Sequence, residues 1–425
     1  MNTKMLCGGP ILLTMVLLPA LLRGQDTLRL SLPDSEKMFV EKNLSLLAAR
    51  YQIDETKAGV IQARLFPNPT LELSGNIYNP DRQKFADISN RTGQYTASIQ
   101  QLIRLAGKRN KEIRLAETQL KMAESQFEDL LRTLRLTLRS NFYKIHFLYH
   151  SLNAYNNQIG SLEKLSGAYD DLHAKGIVTL KDALRIKSLL YSLKAEQTSL
   201  ENELNDLQSE LQLLLHANGH WIMPLADKRI AFTINIRDYA IRDLIDTAFH
   251  NRHDLKLSEY AAQYAQQNYS LQKALAKPDL TLGAEFDKRG SFVDNGSFLR
   301  AAIDLPFFHR NQGNIQAARA GIEKASTLAS QQKLLVEKEV RTAYARALNT
   351  GRMLQSLDAG FEEQYEKILS GISENFQKKN ISLLEFTDFN ESYKDNILQF
   401  NQLQNDFMQA IEDLQFAVGK TLFNY

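Results

Sequence analysis

The sequence has little cysteine and proline, and beyond its first residues it has no long apolar run. The single cysteine, Cys7, falls in a segment that we expect to be removed. Disulfide bonds and thiolate metal sites are therefore excluded from the remaining chain, which suits export to an oxidising compartment. No later window approaches about 18 apolar residues, the length of a membrane-crossing helix. If the chain spans a membrane, alternating strands closed into a barrel must do so.

The sequence also lacks an excess of charge of either sign. It has 51 lysines and arginines against 49 aspartates and glutamates. Because such a chain creates no long-range field toward phosphate backbones, we predict no nucleic-acid partner.

The N-terminus is typical of a secretory signal. Lys4 supplies a positive charge, residues 11–22 form an apolar core, and Gly24 is a small residue at the cleavage edge. The core is too short to span a bilayer stably, which disfavours a membrane anchor. We therefore predict a signal peptide at residues 1–24 and an exported mature chain.

Two stretches without proline predict very long helices. Residues 81–223 and 307–425 contain none, and proline breaks helices by removing a donor and clashing with the preceding turn. Apolar residues there alternate in steps of three and four, as in Ile186, Leu190, Leu193 and, further on, Leu200, Leu204, Leu207, Leu211. This spacing is typical of a coiled-coil seam. A helix over residues 107–169 would be roughly 90 Å long.

The chain repeats itself. Pro67 matches Pro278, residues 101–103 match residues 304–306, and residues 176–180 match residues 380–384. These three ordered matches lie at nearly one separation, which indicates a duplicated unit of roughly 200 residues.

Short alternating runs recur at residues 70–77, 95–100, 280–286 and 299–305, joined by polar loops at 79–93 and 287–297. A period of two places apolar and polar side chains on opposite faces of a strand. Such strands fit an outer-membrane barrel, although ordinary hairpins on a soluble domain remain an alternative. Four strands cannot close a barrel, so several chains must share one, and three chains would supply twelve strands.

This arrangement resembles the TolC-like outer-membrane efflux proteins, and residues 62–69 (QARLFPNP) are most similar to the heavy-metal branch, the CzcC/CusC type. The predicted fold is mainly α with a β-barrel part. The predicted division is a signal peptide at 1–24, a first repeat at 25–216 (β-hairpin about 70–103, helical hairpin about 105–216), an inter-repeat segment at 217–238, and a second repeat at 239–425 (β-hairpin about 279–305, helical hairpin about 310–418).

The resemblance implies a protein of the outer membrane of a Gram-negative bacterium, with a long periplasmic extension. It further implies a homotrimer in outer-membrane lipid, docked to a periplasmic adaptor protein and an inner-membrane pump of the resistance-nodulation-division type. It implies a passive channel without enzymatic activity or cofactor, exporting heavy-metal cations. The alternatives within this class are multidrug efflux and type I secretion. An alternative of another class is a soluble periplasmic coiled-coil scaffold.

The resemblance also assigns roles to residues. Glu385 and Asp388 would form acidic rings at the channel entrance, which would favour cations. Their first-repeat counterparts by sequence are Lys181 and Leu184. The other expected sites are adaptor-docking turns and prolines at the barrel entry: Gly176, Ile177, Val178, Asn380, Ile381 and Ser382 for the turns, and Pro67, Pro69 and Pro278 for the entry.

Three histidine pairs have spacings that could place two imidazoles on one helix face: His146 and His150, His216 and His220, His250 and His253. None has an obvious third ligand in the sequence, so we predict structural histidines and no resident metal.

Overall fold

The computed structural model describes residues 26–80, 82–227, 229–289, 293–357, 361–378 and 380–423. The predicted signal peptide, with Cys7, lies outside these ranges. The described chain is mainly helical with one four-stranded sheet, so the predicted fold class is confirmed. No helix in the described ranges is both long enough and apolar enough to cross a membrane.

The first half forms two short helices, a pair of sheet strands and two long helices. Its elements are β1 (Thr27–Ser31), α1 (Leu32–Lys42), α2 (Leu44–Ala63), β2 (Thr70–Gly75), β3 (Tyr78–Asn79), β4 (Lys84–Phe85), β5 (Tyr95–Ile103), α3 (Lys108–Ala174) and α4 (Leu180–Leu215). The small β3–β4 pair begins one residue before the loop predicted at 79–93 and otherwise lies within it; this pair was not predicted.

The second half repeats this plan. Its elements are β6 (Trp221–Leu225), two 3-10 turns (Ile230–Thr233 and Ile236–Asp238), α5 (Ile241–Asn251), α6 (His253–Leu275), β7 (Leu280–Arg289), β8 (Asp294–Ile303), α7 (Gln312–Gln355), α8 (Phe361–Gln377) and α9 (Leu383–Val418). The loop predicted at 287–297 was too long, because β7 and β8 continue pairing as far as Arg289 and Asp294.

The sheet has the antiparallel order β2–β5–β7–β8, so the hairpins of the two halves lie side by side. One row across the four strands is apolar: Leu71, Ile99, Ala284 and Leu299. The adjacent row is Thr70, Gln100, Gly283 and Arg300. The predicted alternation therefore produces one apolar face, on which Leu71 is 66% and Leu299 is 92% exposed.

The helices near the sheet pack in a matching order. Helix α2 contacts α3, α3 contacts α6, and α6 contacts α7. Farther from the sheet, α3 packs against α4 and α9, and α9 also contacts α7 and α8. Helix α3, at 67 residues, would extend about 100 Å at 1.5 Å per residue and contributes to all three buried apolar clusters.

The two strand-to-helix bends are made differently. Before α3, Ala106 and Gly107 both have left-handed backbones, with φ of 54° and 67°. Glycine adopts this conformation readily, so Gly107 allows the chain to bend here, where the first repeat has Ile103 at the position that matches Pro306. Before α7, Asn311 takes the left-handed conformation instead, and its amide donates to the Gln272 carbonyl over 2.9 Å.

The inter-repeat segment contains a strand and two 3-10 turns. Strand β6 pairs in parallel with β1, which joins the start of the described chain to the junction between the repeats. Trp221 in β6 packs against the apolar cluster of α1, α3 and α4, and its Nε1 donates to the Tyr149 hydroxyl.

Candidate functional site

The end of the molecule farthest from the sheet is formed by two helix–helix turns. In the α3–α4 turn, Gly176 has a φ of 72°, the left-handed conformation that closes many helix C-termini. The Ile177 N–H donates to the Leu172 carbonyl over 2.9 Å. Val178 follows, and Thr179 is the N-cap residue of α4.

The α8–α9 turn contains the same hydrogen bond with a different alignment from the predicted one. The Asn380 N–H donates to the Asn375 carbonyl over 2.9 Å, as Ile177 does to Leu172. Asn380 therefore occupies the place of Ile177, so its predicted pairing with Gly176 is wrong by one residue. The counterpart of Gly176 is Lys379, which lies outside the described residues.

The starts of the two helices that follow, α4 and α9, align with the same one-residue correction. The Ser382 hydroxyl accepts from the Glu385 N–H over 3.2 Å, and a Glu385 carboxylate oxygen accepts from the Ser382 N–H over 2.7 Å. These reciprocal bonds form a capping box. At α4, the Thr179 hydroxyl accepts from the Asp182 N–H over 3.2 Å. The counterpart of Glu385 is thus Asp182, not Lys181.

The corrected alignment makes the two helix starts electrically unequal. Asp388 lies opposite Arg185 in this alignment, not Leu184, and both side chains are exposed. The first-repeat pair, Asp182 and Arg185, balances in charge, whereas Glu385 and Asp388 are both acidic. Hydrogen bonds from the Ser382 backbone N–H and hydroxyl lower the pKa of the Glu385 carboxyl, so this group stays ionised at neutral pH.

An aromatic stack holds the two turns next to each other. The Tyr169 ring on α3 lies 6.3 Å from the Phe376 ring on α8, and the Phe376 ring lies 4.4 Å from that of Phe386 on α9. The predicted docking residue Ile381 packs against the same buried cluster. The turns therefore form one end surface.

Exposed apolar side chains at this end were only partly anticipated. We define the tip surface as Ile177, Leu180, Leu184 and Leu384, which are between 54% and 60% exposed. Only Ile177 was predicted. The sequence carried a signal for the others, because these leucines lie near the helix starts at positions that do not extend the buried seam.

Sequence reasoning also missed a polar bridge between the repeats. A Glu196 carboxylate oxygen on α4 accepts from the Tyr155 hydroxyl over 2.8 Å and from the Lys394 ammonium of α9 over 3.0 Å. Burial opposes ionisation of Glu196, but these hydrogen bonds outweigh it and lower the pKa of that carboxyl. The bridge joins elements 198 residues apart in sequence, which no local pattern indicates.

The predicted entry prolines lie where helices lead into strands. Pro67 and Pro69 fall between α2 and β2, and Pro278 falls between α6 and β7. The Gln101 amide donates to the Pro67 carbonyl over 2.9 Å, which fixes that passage to β5. Their role as barrel-entry residues stays a prediction.

A buried cation ties the second passage to the first repeat. The Lys108 ammonium lies 2.7 Å from the Asp279 carboxylate and donates to the Lys277 carbonyl, also over 2.7 Å. Only 4% of Lys108 is exposed, so its charge is used within the protein.

Across the described ranges, histidine, cysteine, aspartate and glutamate residues form no group of three or more that could hold a metal ion.

Comparison with known proteins shows which family has this architecture. The family model described as outer membrane efflux protein matches residues 37–217 and 244–420. The chain belongs to the outer membrane efflux protein family. The sequence-based recognition of a TolC-like protein is confirmed, as is an outer-membrane location; the family is one of channels, which agrees with the expectation that this member is not an enzyme.

Individual relatives and solved structures are consistent with this family assignment. The chain is 25% identical over 289 residues to the cobalt-zinc-cadmium resistance protein CzcC of Cupriavidus metallidurans, a match covering 67% of this chain and 64% of CzcC. Its fold is similar to the Campylobacter jejuni CmeC outer membrane channel (TM-score 0.74, 15% identity, 91% and 85% of the two chains). It is also similar to CusC (TM-score 0.72, 14% identity, 92% of each chain).

Proposed function

We propose that this efflux family member is one subunit of a trimeric outer-membrane channel, the passive exit of a tripartite efflux pump. The observation that carries the proposal is the sheet. Its apolar face is exposed, as lipid contact requires, and its opposite face carries polar groups such as Gln100 and the Arg300–Glu285 ion pair. Alternation of this kind is typical of strands that separate lipid from an aqueous lumen.

The edges of the sheet support a ring of copies. Strands β2 and β8 are the two edges, and helices α2 and α7 are the matching edges of the helical layer. Both helices carry exposed apolar side chains: Leu44, Leu47 and Tyr51 on α2, and Leu328, Leu334 and Leu335 on α7. Different surfaces on the two sides favour head-to-tail association, which closes into a ring when the rotation allows. Three copies give a twelve-stranded barrel without an open edge.

We propose heavy-metal cations as the cargo and the Glu385–Asp388 pair as the entrance filter. Three copies of an ionised Glu385 and an exposed Asp388 would form two rings of negative charge, a basis for cation preference. The first repeat cannot add a similar ring, because Asp182 is offset by Arg185. Similarity to a cobalt-zinc-cadmium resistance protein supports this cargo over drugs or a secreted protein.

The tip surface and the turns around it suit an adaptor protein. Ile177, Leu180 and Leu384 offer apolar contacts at the end of the helical hairpins, beside the backbone turns at residues 176–178 and 380–382. We propose that a periplasmic adaptor docks here and links the channel to an inner-membrane pump of the resistance-nodulation-division type.

The filter is tested by Glu385→Gln combined with Asp388→Asn in planar bilayers. Glutamine at the third helical position retains the capping box, so the charge is removed while the helix start is preserved. We expect the reversal potential in a salt gradient to shift toward the value of a channel that does not prefer cations. The matched control is Asp182→Asn, which should leave selectivity unchanged. Unaltered selectivity in the double variant would contradict the entrance assignment.

The cargo is tested by growth of a deletion strain on cobalt, zinc, cadmium, copper and silver, beside dyes, detergents and antibiotics. Sensitivity to metals alone, rescued by the wild-type gene, is the expected result. Sensitivity to drugs alone would agree with a channel but would contradict the metal cargo.

Alkaline washing of membranes tests the channel against the scaffold alternative. If washing without detergent released the protein from membranes, the scaffold alternative would replace the channel.

A further inference from the structure

A small positively charged cavity lies beside the end of α9, away from the tip surface. It has a volume of about 140 Å³, opens to solvent, and is lined by the middle of α3, the start of α6, the end of α9 and the residues that follow α9. Arg132, Arg135 and Arg139 line it from one face of α3, and His253 and Lys420 line it from the other elements.

Two of the three arginines already have partners. Arg132 pairs with Asp129 over 2.6 Å and Asp254 over 3.4 Å, and its guanidinium donates to the Phe416 carbonyl over 2.7 Å. Arg139 pairs with Glu36 over 2.5 Å and with the buried Glu412 over 3.2 Å. These charges are satisfied within the protein.

Arg135 is different. Its Nε is buried without a hydrogen-bond acceptor. No carboxylate in the described part of the chain lies within ion-pair distance of Arg135 or of Lys420. Glu412 also lines the cavity, but its carboxylate accepts from Arg139 and from the Gln415 amide. Glu128, the remaining acidic lining residue, is exposed at the surface.

A guanidinium whose charge no carboxylate balances is costly to bury, and water can hydrogen-bond to the group without balancing that charge. Since a water molecule occupies about 30 Å³ in the liquid, the cavity has room for a small anion with some water. A planar guanidinium matches two oxygens of a phosphate or carboxylate group.

We propose that this cavity binds a small oxyanion, held by the guanidinium of Arg135 with the ammonium of Lys420 at its mouth. The bound anion would connect α3 to the end of α9, which belong to different repeats. The inference needs no open pore and does not depend on the proposed cargo.

The test is isothermal titration calorimetry on the purified full-length protein in detergent, with inorganic phosphate, acetate and chloride at equal ionic strength. We expect saturable binding of phosphate or acetate and none of chloride. Arg135→Gln should weaken the affinity by about tenfold or more, because it removes a charge-assisted pair. Lys420→Gln, at an exposed position, should weaken it a few-fold. Arg319→Gln, an exposed arginine on α7, is the matched control and should bind as the wild type does.

The response to the two oxyanions identifies the class: binding of phosphate alone indicates a phosphate site, and binding of acetate indicates a carboxylate site. Circular dichroism checks that each variant is folded. If Arg135→Gln fails to fold, Lys420→Gln decides the matter. No oxyanion binding beyond that of chloride in the wild type, or wild-type affinity in folded variants of both residues, would overturn the proposal.

Discussion

In each repeat a helical stretch leads to the turns at the end of the molecule, and a second helix, α4 or α9, returns from them. The two repeats differ in the first of these stretches. Helices α4 and α9 have the same length, 36 residues. Their partners differ, since α3 runs unbroken for 67 residues while the second repeat uses α7 and α8 with an interruption after Gln355. The separation between equivalent ends changes too: Lys108 and Gln312 are 204 apart, whereas Ala174 and Gln377 are 203 apart.

The difference shows how a duplicated coiled coil accommodates a length difference of one residue between its repeats. One residue corresponds to about 100° of rotation at 3.6 residues per turn. A continuous second helix that is one residue shorter would turn part of its apolar stripe away from α9. With the interruption, both parts keep their packing: Leu354 is 1% exposed, and Phe376 stacks on Phe386. A half-open cavity of about 1020 Å³, lined by residues that include Phe147, Met353 and Phe400, lies beside the end of α7.

The largest expected contrast between the repeats concerns the side chain that hydrogen-bonds to the C-terminal end of α4 or of α9. The Asn43 amide donates to the Leu214 carbonyl in the first repeat, and Arg252 donates to the equivalent Ala417 carbonyl in the second. Asn43 is neutral, whereas Arg252 is 2% exposed and pairs with Asp254 and Glu339.

We expect Arg252→Met to destabilise the protein by about 3–5 kcal/mol, because two carboxylates lose a buried cation. Asn43→Ala should cost about 1–2 kcal/mol, the effect of losing a cap and one hydrogen bond. Urea unfolding followed by circular dichroism in detergent measures both. Arg341→Met, which breaks an exposed pair with Glu337, is the control and should cost less than about 1 kcal/mol. Equal costs at Asn43 and Arg252 would remove this contrast.

A smaller contrast is expected at the helix starts. Ser382→Ala breaks a reciprocal capping box and should cost about 1–2 kcal/mol, while Thr179→Ala breaks a one-sided cap and should cost about 0.5–1 kcal/mol. The same unfolding experiment ranks them. The reverse order would mean that the first repeat depends more on its cap.

The smallest effect tests the bridge that joins the repeats. Glu196→Gln removes the charge that Lys394 faces and should cost about 0.5–1 kcal/mol at pH 7. Because the pKa of Glu196 is lowered in the folded protein, the stabilisation is full above the ordinary pKa of 4.5 and is lost as the pH falls below it. Wild type and variant should therefore converge in stability as the pH falls from 4.5.

The within-repeat control for this bridge is Glu163→Gln, which removes an exposed pair with Lys194. It should change stability less than Glu196→Gln at pH 7. A difference between wild type and the Glu196 variant that persisted at acidic pH would contradict the role of the carboxylate charge.

The sequence predicted the long helices, the strand alternation and the order of the repeats, because proline placement and apolar periodicity are local signals. It misaligned the turns by one residue: matching Gly176 to Asn380 used residue type, whereas the hydrogen bonds of Ile177 and Asn380 set the true alignment. The interruption after Gln355 and the Glu196–Lys394 bridge depend on contacts between distant segments, which no local pattern records. The division into repeats and the roles of the entrance and docking residues remain predictions.

The open edges of the sheet have a genetic consequence. If each subunit offers β2 to one neighbour and β8 to the other, a subunit with one blocked edge still joins a ring through its other edge but prevents closure. Such a variant would act dominantly. When mutant and wild-type chains are made in equal amounts and mix freely, only about one trimer in eight would be wholly wild type.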